Sequence, residues 1–379
     1  MRSYLPLLVA AFLTDASVYL VFAALPFRAI ELGAGPLALG AIPAVYATAY
    51  MLSALGAGHL SDRVPRLKLA RGACLLAALS ALGLATVPAL PLLYAILPAM
   101  GVALGFFWSP LQAALSDLAP EGQLLRAIGV FNMTWTLGKG SGLVVGGFLT
   151  QAFSPHAVLL LGGAPVALAA LALPWRTRPH VAAATPSPSA EEAVPTWLLR
   201  LAWMTNALAY GLVGTMNMHA PKLLLAQGLG PATFGLLLGS VYGVQALVFL
   251  VMRRRAVSPG LLSVALASGA LAVVVFLRAP GELRLLCAIP FGVATGVAYH
   301  SSLHASLHRP HGRGLAAGLH EMLIGAGNAS VPLAGGALAR ASGSLAAPFL
   351  LAGTLLGAGF VTTLVRRRSS PVAAVRDAI

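Results

Sequence analysis

Twelve long apolar runs follow one another along this chain with only short polar breaks. They fall at 4–27, 36–58, 69–87, 90–113, 127–150 and 155–174, then at 197–219, 231–252, 259–277, 283–306, 314–339 and 343–365. A run of roughly 20 apolar residues crosses a bilayer as an α-helix. Hydrophobic residues make up 58% of the 379, and charged residues only 9%, against about 25% in soluble domains. So few charges cannot cover the surface of a soluble fold. The fold class expected is an all-α polytopic membrane protein. Its 41 glycines and 26 prolines sit often inside the apolar runs, where membrane bundles tolerate them. The opening stretch MRSYLPLLVAAFLTDASVYLVF has one arginine and then an apolar run too long for a signal peptide, interrupted by Asp15. It reads as a retained first helix. Cys74 and Cys287 both lie in apolar runs and read as packed thiols rather than a disulfide or metal pair.

The bases set the topology. With the N-terminus inside, Arg2, Arg63, Arg66, Lys68, Arg71, Arg126, Arg176, Arg178, Arg200, Arg253–Arg255, Arg309, Arg313, Arg366–Arg368 and Arg376 fall at the inner side, 18 of the 24 Lys and Arg. Arg28, Lys222, Arg278, Arg284 and Arg340 fall outside, and Lys139 within a span. That bias places both termini in the cytoplasm and requires an even number of spans. It also accounts for the formal charge of +14 as contact with anionic inner-leaflet lipid, not nucleic acid. The segment 174–197, PWRTRPHVAAATPSPSAEEAVPTW, is too polar and proline-rich to fold alone. The organisation expected is a six-helix bundle at 1–174, a cytoplasmic linker at 175–196, a second six-helix bundle at 197–368 and a cytoplasmic tail at 369–379. Two equal halves about a flexible tether suit alternating access.

One charged island breaks the apolar pattern. GHLSDRVPRLKLARG, 58–72, joins the second and third spans. Asp62 there can accept hydrogen bonds at a helix start or pair with Arg63, Arg66 or Arg126. Gly58, Leu60, Ser61, Asp62, Arg63 and Arg66 resemble the signature inner loop of the major facilitator superfamily, with Pro65 where that family has glycine and Leu67 where it often has a base. GKGSGLVVGG, 138–147, is similar to the fifth-span motif of the superfamily's exporters through Gly138, Gly142, Gly146 and Gly147, with Leu143 replacing a proline. GAGNASVPLAGG, 325–336, echoes it in the second half. Asp117, Pro120 and Arg126 resemble the usual fourth-loop region. The resemblance implies twelve transmembrane helices in two pseudo-symmetric bundles around a central cavity, a bacterial cytoplasmic (inner) membrane location, and a role for the island as a latch between bundles. The latch would involve Asp62, Arg63, Arg66, Asp117 and Arg126.

Ionisable groups inside spans are costly and are functional candidates by default. Asp15 can hold a proton, bind a cation, face a substrate amine or pair with Lys139. Lys139 can face the cavity, with Asn132 and Trp135 on its side of the helix. His320 and Glu321 resemble a pair found in bacterial members of the superfamily. They can carry a proton or couple to the latch, and Glu321 can instead bridge to Arg126 or Arg313. Tyr19, Asn206, Tyr210, Asn217, His219, Tyr242, Gln245 and His300 complete the expected substrate and ion pathway. His300, His304 and His308 recur every four residues on one face, a spacing that can bind metal. No acid accompanies them locally, so no metal is assigned.

No phosphate-binding Gly-x-x-x-x-Gly-Lys-Ser/Thr loop occurs, which leaves an ion or substrate gradient as the energy source. The expectation is a monomeric secondary active transporter, not an enzyme, without cofactor. It moves a small amphipathic organic molecule, with protons as coupling ion and membrane lipid around it. Export follows from the fifth-span resemblance. A metal-ion transporter or membrane metalloenzyme using Asp15 and the histidine row, or a lipid translocase of the same fold, are the alternatives.

Overall fold

The computed structural model describes residues 4–61, 63–118, 124–174, 194–252, 255–308 and 313–368. Asp62, Pro120 and most of the 174–197 tether lie outside them. Twelve α-helices follow in order. They are α1 (Leu5–Glu31), α2 (Pro36–Ser61), α3 (Arg66–Thr86), α4 (Leu90–Leu118), α5 (Leu124–Ala152) and α6 (Pro155–Ala172). Then come α7 (Thr196–Leu225), α8 (Pro231–Met252), α9 (Pro259–Arg278), α10 (Ala288–Leu307), α11 (Arg313–Ser342) and α12 (Ala347–Arg368). All twelve expected spans are present. The tenth opens with a 3-10 turn, Gly281–Cys287, before α10.

Two short links that the sequence leaves hard to split are resolved by local chemistry. Between α5 and α6, the Ser154 hydroxyl accepts a hydrogen bond from the Ala157 N–H at 3.1 Å, and Pro155 occupies the first turn. That cap and proline start a new helix two residues after the last one ends. After α11, Gly343 takes φ +69°, a left-handed conformation that glycine adopts without steric cost and that terminates the helix.

Ten of the twelve helices are long and apolar enough to cross a membrane by length and hydropathy alone. The two that fall short are α5 and α7, which carry Asn132, Thr136 and Lys139, and Asn206, Asn217 and His219. A helix packed against other helices need not be apolar all round: α5 packs on α1 and α8, and α7 on α11, α10 and α12.

Packing follows one pattern twice. The first six helices run side by side in the order α2, α4, α3, α6, α1, α5; the last six run α8, α10, α9, α12, α7, α11. Adding six to each label in the first row gives the second. The rows close into a ring where α5 meets α8 and α11 meets α2.

Contacts across the ring concentrate at the end opposite the basic loops. There the Lys222 ammonium donates to the Ala34 carbonyl at 3.1 Å, and the Ala232 N–H donates to Gln151 Oε1 at 3.0 Å. Phe27 meets Phe234 edge-on at 5.7 Å. A β-carbon at Gly147 would stand 2.6 Å from the Pro231 carbonyl oxygen and 2.8 Å from Gly235 Cα. Toward the basic end the same helices separate, and nothing lies within 4 Å of a β-carbon built at Gly129 or Gly243. The conformer is closed at the far end and open at the basic end.

Close approach of glycine backbones therefore holds the far end shut. The substitution Gly147→Val should overpack this seam by on the order of 1–3 kcal/mol and shift the population toward far-end opening. The check is maleimide labelling from the far side of the single cysteine in V213C, with Cys74 and Cys287 replaced by serine. Labelling should rise about tenfold for each ~1.4 kcal/mol.

Candidate functional site

The glycines of α5 place Lys139, the charged residue in the middle of that helix. Gly138, Gly142 and Gly146 lie against Phe12, Ala16 and Leu20–Ala23 of α1, while Gly140 and Gly147 lie against Gly239 and Gly235 of α8. Spacings of four residues keep the first three on one face, and the other two turn toward the opposite half. Lys139 is thus held between α1 and α8, at the centre of the molecule.

Around it the polar groups converge. Lys139 Nζ lies 3.9 Å from Asp15 Oδ2, where Asp15 is buried on α1. The ammonium sits 4.4 Å from the Trp135 ring centroid, 4.9 Å from Tyr19 and 5.8 Å from Tyr242, within cation–π range. The Tyr242 hydroxyl donates to the Tyr19 hydroxyl at 3.4 Å, joining the two halves over the ion pair. A cavity of about 140 Å³ opens here, lined by Asp15, Tyr19, Trp135, Lys139, Tyr210, Asn217 and Glu321. Asn217 Oδ1, Asn328 Oδ1 and Asp15 Oδ2 are buried and make no hydrogen bond within the protein. They are acceptors held ready at the cavity wall, because a buried polar atom is expensive to leave unpaired. Gln112, exposed on α4, lies on the basic-end side of the same space.

Several expected pathway residues take other places. His219 turns away from the cavity, and its Nε2 bonds the Pro332 carbonyl oxygen at 2.9 Å, tying α7 to α11. Asn217, two residues earlier, diverges from it around the helix and does reach the cavity. Asn206 is fully buried beside His320, 3.4 Å from Nδ1. Gln245 is fully buried outside the cavity. Asn132 acts on the cavity indirectly: its Oδ1 accepts from Trp135 Nε1 at 3.1 Å and fixes the indole over Lys139. Tyr242 stands behind the lining and closes on Lys139 from α8.

The residues expected at the gate also separate. Arg66 pairs with Asp117 at 2.5 Å, linking the start of α3 to the end of α4 within one half. Arg63 is exposed. Asp62 lies outside the described residues. His320 is buried, its Nδ1 2.8 Å from the Ser302 hydroxyl. Glu321 does not bridge to Arg126. Its Oε1 lies 4.0 Å from His320 Nε2, and the residue lines the central cavity, one turn from Ile324 and Gly325. It belongs with Asp15 and Lys139 rather than with the basic loop.

His300 faces a second cavity at the basic end, with His304, His308, Asn132 and Arg126. The rings of His304 and His308 stack at 3.9 Å and 7°, and His300 lies 6.0 Å from His304. Stacked faces do not converge lone pairs on a point, and among the described residues no group of three metal-type ligands forms.

Sequence reasoning missed most of the cavity's aromatic wall. Phe22, Tyr46, Tyr50, Trp108 and Tyr299 line it, with Gln112 and Asn328. Two spacings carried the signal: Tyr46 with Tyr50 and Trp108 with Gln112 each stand four apart, on one face of an otherwise apolar span.

Replacing Lys139 by methionine should leave the Asp15 carboxylate buried without its cation. The expected loss is on the order of 3 kcal/mol, read as a lowered Tm in detergent. The double variant D15N/K139M should recover most of it. Additive losses in the two single variants would reject the pairing.

The residues 7–309 match the Major Facilitator Superfamily. A bacterial homologue of the human lysosomal transporter Spinster, in an inward-facing and occupied conformation, is 14% identical with a TM-score of 0.70, over 96% of this chain and 94% of that one. The same homologue, inward-facing and unoccupied, gives 15% and 0.66 over 96% and 94%. A point mutant of the nucleoside transporter NupG gives 13% and 0.73 over 95% and 98%. These identities speak for the fold alone. No curated protein matches. With its ring of twelve helices and a match covering most of its length, the chain belongs to the Major Facilitator Superfamily of membrane transporters.

Proposed function

We propose that this protein exports a small amphipathic organic molecule by alternating access, in exchange for protons. The observation that carries the reading is the Asp15–Lys139 pair, 3.9 Å apart, in an aromatic-walled cavity between the two halves. Two acids, Asp15 and Glu321, share that space with one base. An ionised Asp15 holds Lys139; a protonated one releases it. A cargo with a basic nitrogen and an apolar body competes with protons for the two carboxylates, while Trp135, Tyr19 and Tyr299 offer rings for its body and charge. Competition for one set of carboxylates is the simplest basis for exchange, since proton and cargo then occupy the site in turn.

The cavity of about 140 Å³ is smaller than the ~300–1,000 Å³ typical of drug-sized ligand sites. In this conformer it suits a small cargo, and a larger one requires the halves to part further. The absence of a converging ligand trio among the described residues favours an organic cargo over a metal ion. The two halves, 1–174 and 197–368, rock about the α5–α8 and α11–α2 seams with the 175–196 linker and both termini in the cytoplasm. The basic end then faces inward by its excess of Lys and Arg. In that scheme the Arg66–Asp117 pair braces the loop that carries Asp62.

Flux of small organic ions in sealed vesicles under an imposed pH gradient tests the reading. Asp15→Asn should bring proton-driven flux down to the level of empty vesicles while leaving the protein folded. Unchanged coupling in that variant would remove Asp15 from the role.

A further inference from the structure

The second cavity, of about 770 Å³, lies at the basic end between α5 of one half and α8 and α10 of the other. It is separate from the cargo site. Trp135, Phe249 and Tyr299 form a partition, with ring centroids 5.6–6.2 Å apart, and Tyr299 faces both spaces.

Its charge has one sign. Arg126 and Arg255 line it, with His300, His304 and His308, and among the described residues no acid does. Both arginines are exposed, and neither has an ion pair among the described residues. His304 Nδ1 is buried and has no hydrogen-bond partner. Apart from Asn132, the remaining walls are apolar.

The polar and apolar parts are layered by depth. Arg126 stands in the first turn of α5, and Arg255 three residues past the end of α8, so both lie near the membrane surface. Leu250 and Leu303 also line the space, and each lies deeper along its helix. Leu250 is 41% exposed, and Leu247 and Val251 on the same helix are 62% and 68% exposed. An apolar surface therefore continues from the cavity along α8. A soluble anion needs the bases but not that surface.

We propose that this vestibule binds an anionic phospholipid of the basic-end leaflet. Its phosphate lies against Arg126 and Arg255, and its acyl chain against Leu250, Leu303 and Phe249. The headgroup then wedges between α5 and α8, whose basic ends must approach when the transporter turns over. A lipid that fits only the open form favours it by its differential affinity.

The test is photo-crosslinking of the full chain in neutral detergent with phosphatidylglycerol carrying a diazirine in its acyl chain. Phosphatidylcholine with the same chain is the control, and labelled peptides are mapped by mass spectrometry. Phosphatidylglycerol should label α8 and α10 around Leu250 and Leu303. Each of R126Q and R255Q should lower that labelling about fivefold, and the pair ~20-fold, as expected for bases at a membrane surface. Ala256→Glu, an exposed position on the cavity rim, should lower it as well and does not touch the packed interior, which keeps the test valid if the arginine pair fails to fold. Equal labelling by phosphatidylcholine, or labelling unchanged in folded R126Q/R255Q or A256E, would overturn the proposal. So would displacement of the lipid by inorganic phosphate as effective as that by short-chain phosphatidylglycerol, which would mark a soluble-anion site.

Discussion

Close backbone approaches run along two faces of α5, and the site depends on them. Glycine at 138, 142 and 146 lets α5 sink onto α1; glycine at 140 and 147 lets it sink onto α8. With no side chain between the backbones, van der Waals contact replaces the hydrophobic effect, which has little force between helices in lipid. Lys139, set among those glycines, has nowhere to extend except toward Asp15 and the rings of Tyr19, Trp135 and Tyr242. A buried ammonium is costly alone. Here an acid and three ring faces offset that cost, and the same crowding makes the lysine sensitive to any change in Asp15.

The second half repeats the device with different chemistry. Gly327 lies against Ala207 of α7, as Gly138 and Gly142 lie against α1, and Gly336 lies against Pro36 and Leu37 of α2, as Gly147 lies against α8. Yet α11 carries Glu321 rather than a lysine, and His219 on α7 is spent on the Pro332 carbonyl. The scaffold is symmetric and the charges are not. An acid and a base enter the cavity from α1 and α5, and one further acid enters from α11. Rocking about the two glycine seams would move these groups as two rigid sets, so that access changes sides while each half keeps its own packing.

Charge also divides the molecule by depth. The central cavity holds both signs and is lined by rings; among the described residues, the vestibule at the basic end holds bases and no acid above mostly apolar walls. The ring partition of Trp135, Phe249 and Tyr299 keeps the two apart, and Asn132 holds Trp135 in that partition from the vestibule side. One residue on α5 thereby connects the packing of the site with the space outside it.

Much of the architecture was legible because membrane helices write their length directly into sequence. The runs from 4 to 365 located all twelve helices, Ser154 and Gly343 explain why two short links still break them, and Asp15, Lys139 and Glu321 stood out as charges in apolar spans. Helical spacing separated Asn217 from His219, although it did not say which of them faced the cavity. What only the tertiary structure decided was who faces whom. His219, Asn206 and Gln245 are as polar as Asn217, but helix–helix packing turned them away from the cavity, and it turned Tyr46, Tyr50 and Trp108 toward it. Sequence sets what each helix carries and roughly how deep it lies; rotation about the helix axis is fixed by neighbours distant in the chain, and that rotation chose the site.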